Sequence, residues 1–124
     1  GSMPGAISKG SAKFGELAAA NGMDGSGPYV GESYDAAAII ALAIQAGGSA
    51  DRKSILSNIL KVSNAPGIII NPGQLSYGLQ MLADGKDIDY QGATDVEFNV
   101  FGDAAGAFKE LEVSGGGFVT VGAL

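Results

Sequence analysis

The spacing of apolar residues along the first two-thirds of the chain predicts four helices. Residues 51–62 are amphipathic, because Ile55 and Ile59 fall on an apolar face and charged side chains fall on the opposite face. Residues 30–46, or 33–46, have apolar residues all round the helix, so we expect this helix to be buried on several sides. The predicted helices cover residues 8–20, 30–46, 51–62 and 72–84.

Alternation of apolar and polar residues predicts strands in the last third of the chain. Val96, Phe98 and Val100 alternate with polar neighbours, as in a half-buried strand, and a turn follows at residues 101–103. Residues 89–93 are polar and contain glycine, which favours a loop. The predicted strands are 96–100, 105–113 and 118–121, and the isoleucines at 68–70 suffice only for a short extended segment. The sequence therefore predicts an α+β fold, with about four helices followed by a small antiparallel sheet or hairpin.

Composition indicates a folded chain that is one small domain or a piece of a larger protein. The chain has 124 residues, of which 46% are hydrophobic and 16% charged, and its 21 glycines indicate many turns. Residues 1–3, Gly-Ser-Met, are typical of the remnant of an expression tag. We therefore interpret residues 4–124 as a single unit, helical over 8–84 and β-rich over 88–122.

Charge and missing residue types exclude several classes of function. Thirteen acidic and seven basic residues give a net charge of −6, which repels nucleic-acid backbones, so we expect no nucleic-acid partner. The chain has no cysteine, which rules out disulfides and thiolate metal sites. It also has no histidine, the commonest general base and transition-metal ligand. We predict no catalytic residues, no cofactor and no enzymatic activity.

The carboxylates do not form a recognisable metal or catalytic motif. Asp87, Asp89, Asp95 and Asp103 lack the spacing of a twelve-residue calcium loop, so we interpret them as solvated loop side chains. The glutamates at positions 110 and 112 share one strand face, but their pattern is typical of the wet side of a terminal hairpin. We predict no metal site.

Tyr29, Glu32 and Ser33 are the candidate ligand-binding residues. They lie where a glycine-rich loop enters a predicted helix, a place that offers an aromatic wall, a carboxylate and free backbone N–H groups. Such groups suit a small zwitterion. The alternative interpretation is that Tyr29 and Tyr34 only pack this helix onto its neighbour.

The order of several short motifs resembles the C-terminal third of the solute-binding proteins of ABC transporters, in the branched-chain amino-acid (Leu/Ile/Val-binding) family. The motifs are Y-D-A-A at 34–37, a Pro-Gly loop, G-x-D-I-D-Y-x-G-A at 85–93 and F-x-x-x-G-D at 98–103. The resemblance covers roughly residues 14–121. The chain departs from the family pattern at Thr94-Asp95, where a small residue and glycine are common, and at Asn99, where aspartate is more typical.

This resemblance implies a type I periplasmic binding protein, located in the periplasm or anchored by lipid outside the cytoplasm. Its lobes would close on an amino acid or similar small polar solute and present it to a membrane permease. In the family an aromatic residue at the position matching Tyr29 lines the cleft between the lobes, while positions matching Glu32 and Ser33 vary. Most ligand-gripping residues lie in the preceding two-thirds of such proteins, so we expect this chain to bind no amino acid by itself.

One further expectation concerns self-association, and two alternative functions stay open. Missing partner layers would leave apolar helix surface and strand edges exposed, which favours a homo-oligomer of the chain. A ligand-sensing ectodomain of the same fold is an alternative function. A histidine-independent enzyme is a more distant one.

Overall fold

The computed structural model describes residues 1–5 and 7–124, and its fold is α+β, as predicted. The helices are α1 (Lys9–Ala20), α2 (Val30–Gly47), α3 (Arg52–Ser63) and α4 (Leu75–Ala83). The strands are β1 (Ser2–Pro4), β2 (Ile68–Ile70), β3 (Ile88–Tyr90), β4 (Phe108–Ser114) and β5 (Gly117–Ala123). In this described part of the chain, no helix has the length and apolar character needed to cross a membrane.

Local signals explain where the helices begin and end. Ser8 and Ser11 form a reciprocal capping box at the start of α1, each hydroxyl accepting a hydrogen bond from the other residue's backbone N–H. Gly48 ends α2 in the left-handed conformation that glycine adopts without steric cost. The predicted fourth helix begins later than expected, at Leu75, because residues 71–74 form a turn closed by Gln74 N–H to the Asn71 carbonyl.

The hydrophobic core lies between α2, α3, α4 and a two-stranded sheet. β2 and β3 pair in parallel, with Ile70 opposite Tyr90, and α4 connects them as a β–α–β unit. Gly78 of α4 packs closely against Leu42 and Ile70. The prediction of a loop over residues 89–93 was therefore wrong for its first two residues, which belong to β3 and are buried.

The second sheet is three-stranded and antiparallel, in the order β1–β4–β5. A two-residue turn at Gly115–Gly116 joins β4 to β5, and a register shift falls between Glu110 and Leu111. Ser2 and Met3, which we interpreted as tag remnant, form part of β1 and pair with β4. No residue of these three strands is buried, so the sheet contributes little to the core.

The predicted strand over residues 96–100 is absent. An isolated bridge joins Phe98 to Ala104 across the predicted turn, where Gly102 has a φ of 85°. The side-chain amide of Asn64, at the end of α3, accepts from the Phe98 N–H at 3.0 Å and donates to the Phe98 carbonyl at 2.7 Å. The asparagine side chain thus forms the two hydrogen bonds to the Phe98 backbone that a neighbouring strand would otherwise form, and the extended segment ends there.

Candidate functional site

Asp35 fixes the turn that follows β3. The residue is only 2% exposed, and its carboxylate accepts hydrogen bonds from the Tyr90 hydroxyl at 2.8 Å and from the backbone N–H groups of Ala93 and Thr94, each at 2.9 Å. The Thr94 hydroxyl donates a further hydrogen bond to the same carboxylate. All four partners are donors, so the ionised carboxylate matches its surroundings.

Two glycines make this close arrangement possible. A Cβ at Gly92 would overlap the Asp35 carboxylate, and Gly92 also has a φ of 63°. A Cβ at Gly10 of α1 would overlap the Gly92 carbonyl oxygen. Helices α1 and α2 therefore approach the turn from two sides, and its backbone has little room to move.

Burial and hydrogen bonding act in opposite directions on the Asp35 carboxyl. Burial raises its pKa, because the charged form loses water, while the donors from Thr94, Ala93 and Tyr90 lower it without cancelling the effect of burial. Burial also raises the pKa of Tyr90, and the nearby Asp35 charge adds to that rise. Tyr90 is thus a neutral donor at any ordinary pH.

Tyr29 stands at the start of α2 with its ring in solvent. It has a φ of 63°, a left-handed conformation that is uncommon for a residue with a large side chain, and it is 65% exposed. The ring lines an open cleft of about 260 Å³, here called the Tyr29 cleft. The other residues that line it are Pro4, Glu32, Thr94 and residues 104–108.

A second cleft adjoins the first. It has a volume of about 520 Å³ and lies beside α1 and the loop over residues 23–27; we call it the α1 cleft. Pro4, Glu32 and Thr94 line both clefts. Glu32 therefore lies between the two openings, beside the turn that Asp35 holds.

The structure places two of the three predicted site residues in a cleft and the third outside it. Tyr29 and Glu32 line the same cleft, as their predicted role requires. Ser33 lines neither cleft, and its hydroxyl donates to the Tyr29 carbonyl at 2.8 Å. Ser33 thus hydrogen-bonds to the backbone of Tyr29, and its hydroxyl proton is used in that bond and not offered to a ligand.

Tyr34 has the packing role that the alternative interpretation gave to both tyrosines. Its ring lies 5.1 Å from that of Phe14 between ring centroids, joining α2 to α1. Its hydroxyl accepts from the Gly73 N–H at 3.2 Å. Tyr29 has too much exposed surface to serve as a comparable packing residue.

Sequence reasoning missed Asp35 and Thr94 as parts of the site. Asp35 carried a signal, since an aspartate within an apolar helix is rarely buried without partners. Thr94 carries no such signal, because in sequence it is only a departure from the pattern of the proteins that the chain resembles. Its neighbour Asp95 has a φ of 52°, a left-handed conformation that a glycine would adopt without steric cost. The turn forms despite that departure.

Metal ligands do not converge in this region. Among residues 1–5 and 7–124, no group of three or more aspartates or glutamates is placed to hold a metal ion. Oδ1 of Asp89, on β3, is a buried oxygen without a hydrogen-bond partner.

Comparison with known proteins assigns no family. The chain matches no family model, no curated protein and no solved structure.

Proposed function

We propose that this chain is the C-terminal portion of an extracytoplasmic solute-binding protein of an ABC transporter, for an amino acid or a similar small polar solute. The observation that carries the proposal is the position of Tyr29. A large aromatic side chain stands in solvent on a left-handed residue, above a cleft that it shares with Glu32. Strained residues of this kind cluster at ligand-binding sites, where function offsets their cost.

The surroundings of Tyr29 suit a role as one wall of a larger site. The Tyr29 cleft is open, and one charged side chain, Glu32, lines it together with small and apolar residues. A carboxylate can bind the amino group of a zwitterion, but no lysine or arginine lines this cleft to pair with the solute's own carboxylate. The remaining contacts would come from another lobe, which closes over the solute and presents it to a permease.

The first experiment uses the full-length protein from which this chain comes. We expect isothermal titration calorimetry against a panel of amino acids to show saturable binding, and Tyr29→Ala to weaken it at least about tenfold, or about 1.4 kcal/mol. Tyr77→Ala is the matched control, because Tyr77 is also exposed but lies on α4 and lines neither cleft. Failure of the full-length protein to bind any small polar solute would refute the proposed function, whereas equal affinities for the two variants would refute only the role of Tyr29.

The second experiment uses the chain by itself. Because one wall cannot enclose a solute, we expect calorimetry to detect no amino-acid binding to residues 1–124. Micromolar binding of leucine, valine or another amino acid would show that the site is complete without a second lobe.

A further inference from the structure

The outer edge of β5 is open in the described part of the chain. In the sheet order β1–β4–β5, β4 is central and the two other strands are edges. The β1 edge is only three residues long and ends in Pro4, a residue that blocks strand pairing. β5 has seven residues, with the sequence GFVTVGA, and carries neither a charge nor a proline. Over residues 117–120 it therefore lacks the charges and prolines by which proteins protect an exposed edge, and the register shift, which leaves Val121 unpaired, lies beyond these residues.

The hairpin geometry shows which backbone groups face outward. Ser114 and Gly117 flank the Gly115–Gly116 turn, whose glycines both have positive φ, as in a type I′ turn. The residue pair that flanks such a turn is hydrogen-bonded. Along the ladder, non-hydrogen-bonded and hydrogen-bonded pairs then alternate. Phe118 and Thr120 thus fall in non-hydrogen-bonded pairs with β4, and their N–H and C=O groups point away from it.

These outward groups are arranged for self-pairing. If a second copy of β5 lies antiparallel with its Val119 opposite Val119, each Phe118 faces the other copy's Thr120. Each of those two pairs exchanges two backbone hydrogen bonds, which makes four in all. The valines meet as a close, β-branched cross-strand pair on the two-fold axis.

Charge does not oppose this arrangement. The chain has a net charge of −6, but the nearest acidic strand residues, Glu110 and Glu112, lie on β4. Across the junction, β4 of one copy and β4 of the other are separated by three strand spacings, or about 14 Å. This distance exceeds the Debye length of about 8 Å at physiological salt, so their repulsion is largely screened.

We infer that the β5 edge is a self-association surface, through which two copies of this chain form a continuous six-stranded antiparallel sheet. The inference does not depend on the proposed function. It specifies the interface by residue, with Phe118 and Thr120 supplying hydrogen bonds and Val119 lying on the axis.

The test compares variants by sedimentation equilibrium over a wide range of concentration. The wild-type chain should show a reversible monomer–dimer equilibrium. Thr120→Pro removes an outward N–H without disturbing the β4–β5 ladder, and Val119→Lys places two charges face to face on the axis. Each should raise the dissociation constant at least about tenfold. Retained Val113–Phe118 contacts by nuclear magnetic resonance would show that the hairpin still folds.

Two controls distinguish edge pairing from burial of an apolar surface. Thr120→Val retains the N–H and should leave the dissociation constant unchanged. Val113→Lys adds the same charge to the same hairpin, but on β4, so it should change the constant little. A monomer at every concentration would overturn the inference. So would equal weakening by Val113→Lys and Val119→Lys, or amide protons of Phe118 and Thr120 that exchange as fast in the associated state as in the monomer.

Discussion

The hydroxyl of Tyr90 donates a 2.8 Å hydrogen bond to Oδ1 of Asp35, and both side chains are buried. The bond links β3 to α2 across 55 positions of the chain. It also orients the carboxylate so that the backbone N–H groups of Ala93 and Thr94 can reach it. Tyr29 and Glu32 lie at the start of α2. Asp35, on the same helix, holds Thr94 close to them.

Asp35→Asn should destabilise the chain although the two side chains have nearly the same shape. Oδ1 and Oδ2 each accept from a backbone N–H, so the amide nitrogen of asparagine must face a donor in either orientation. We expect the free energy of unfolding to fall by about 1–3 kcal/mol near neutral pH. Urea unfolding measures it. Asp87→Asn is the control, because Asp87 is exposed, and a loss of equal size in both variants would contradict the assigned role.

Asp35 and Asp24 should affect stability with opposite dependence on pH. Burial raises the pKa of Asp35 above the ordinary 3.8. The stability that this shift contributes is therefore fully present below pH 3.8 and is lost as the pH rises through the raised pKa. Hydrogen bonds from Ser26 lower the pKa of Asp24, so its contribution is present above 3.8 and is lost as the pH falls.

Urea unfolding between about pH 3 and about pH 7 checks these signs. The stability difference between wild type and Asp35→Asn should shrink as the pH rises. The difference between wild type and Asp24→Asn should grow over the same range. Slopes of the same sign for the two variants would be inconsistent with the opposite environments of the two carboxyls.

Gly92→Ala should cost more than the left-handed backbone explains. Gly22 and Gly92 have similar φ values, 71° and 63°, but a Cβ at Gly22 would meet open space, whereas one at Gly92 would overlap Asp35. Gly22→Ala should therefore lower the free energy of unfolding by about 1–2 kcal/mol, the usual cost of that conformation. Gly92→Ala should lower the free energy of unfolding by the same amount plus about 1–3 kcal/mol, because its Cβ overpacks the space beside Asp35. Thermal unfolding of the pair measures the excess, and equal losses would show that the turn can move away from Asp35.

Sequence patterns predicted the helices well because each depends on nearby residues. The apolar spacing of residues 51–62 and the stop at Gly48 are local signals, and both helices formed as expected. The strands depended on distant partners. Residues 96–100 alternate correctly but meet the Asn64 side chain in place of a strand. In β3, residues 89 and 90 look like the start of a polar loop in sequence, but they are buried in a strand that pairs with β2. The role of Asp35 was likewise hidden, since its donors lie more than fifty positions away.

Replacing Tyr29 by glycine should not destabilise the chain. Glycine removes the left-handed strain of about 1–2 kcal/mol and adds a backbone entropy cost of about 0.5–1 kcal/mol, so stability should stay the same or rise by up to about 1.5 kcal/mol. Tyr34→Ala should lower it by at least about 1 kcal/mol, because that ring packs on Phe14. Denaturant midpoints compare the two. A marked loss for Tyr29→Gly would mean that the exposed ring is a packing residue after all.

The three-stranded sheet of β1, β4 and β5 has no buried residue, whereas β2 and β3 are built into the helical core. Opening the hairpin therefore exposes little new apolar surface. A protease that cuts at the exposed Gly115–Gly116 turn would separate β4 from β5 and leave α2, α3 and α4 folded around their own interior. Further digestion of the released strands would leave a resistant helical remnant, so the polypeptide behaves as two parts of unequal resistance joined by residues 99–107, since Val96 and Phe98 pack with the helical core.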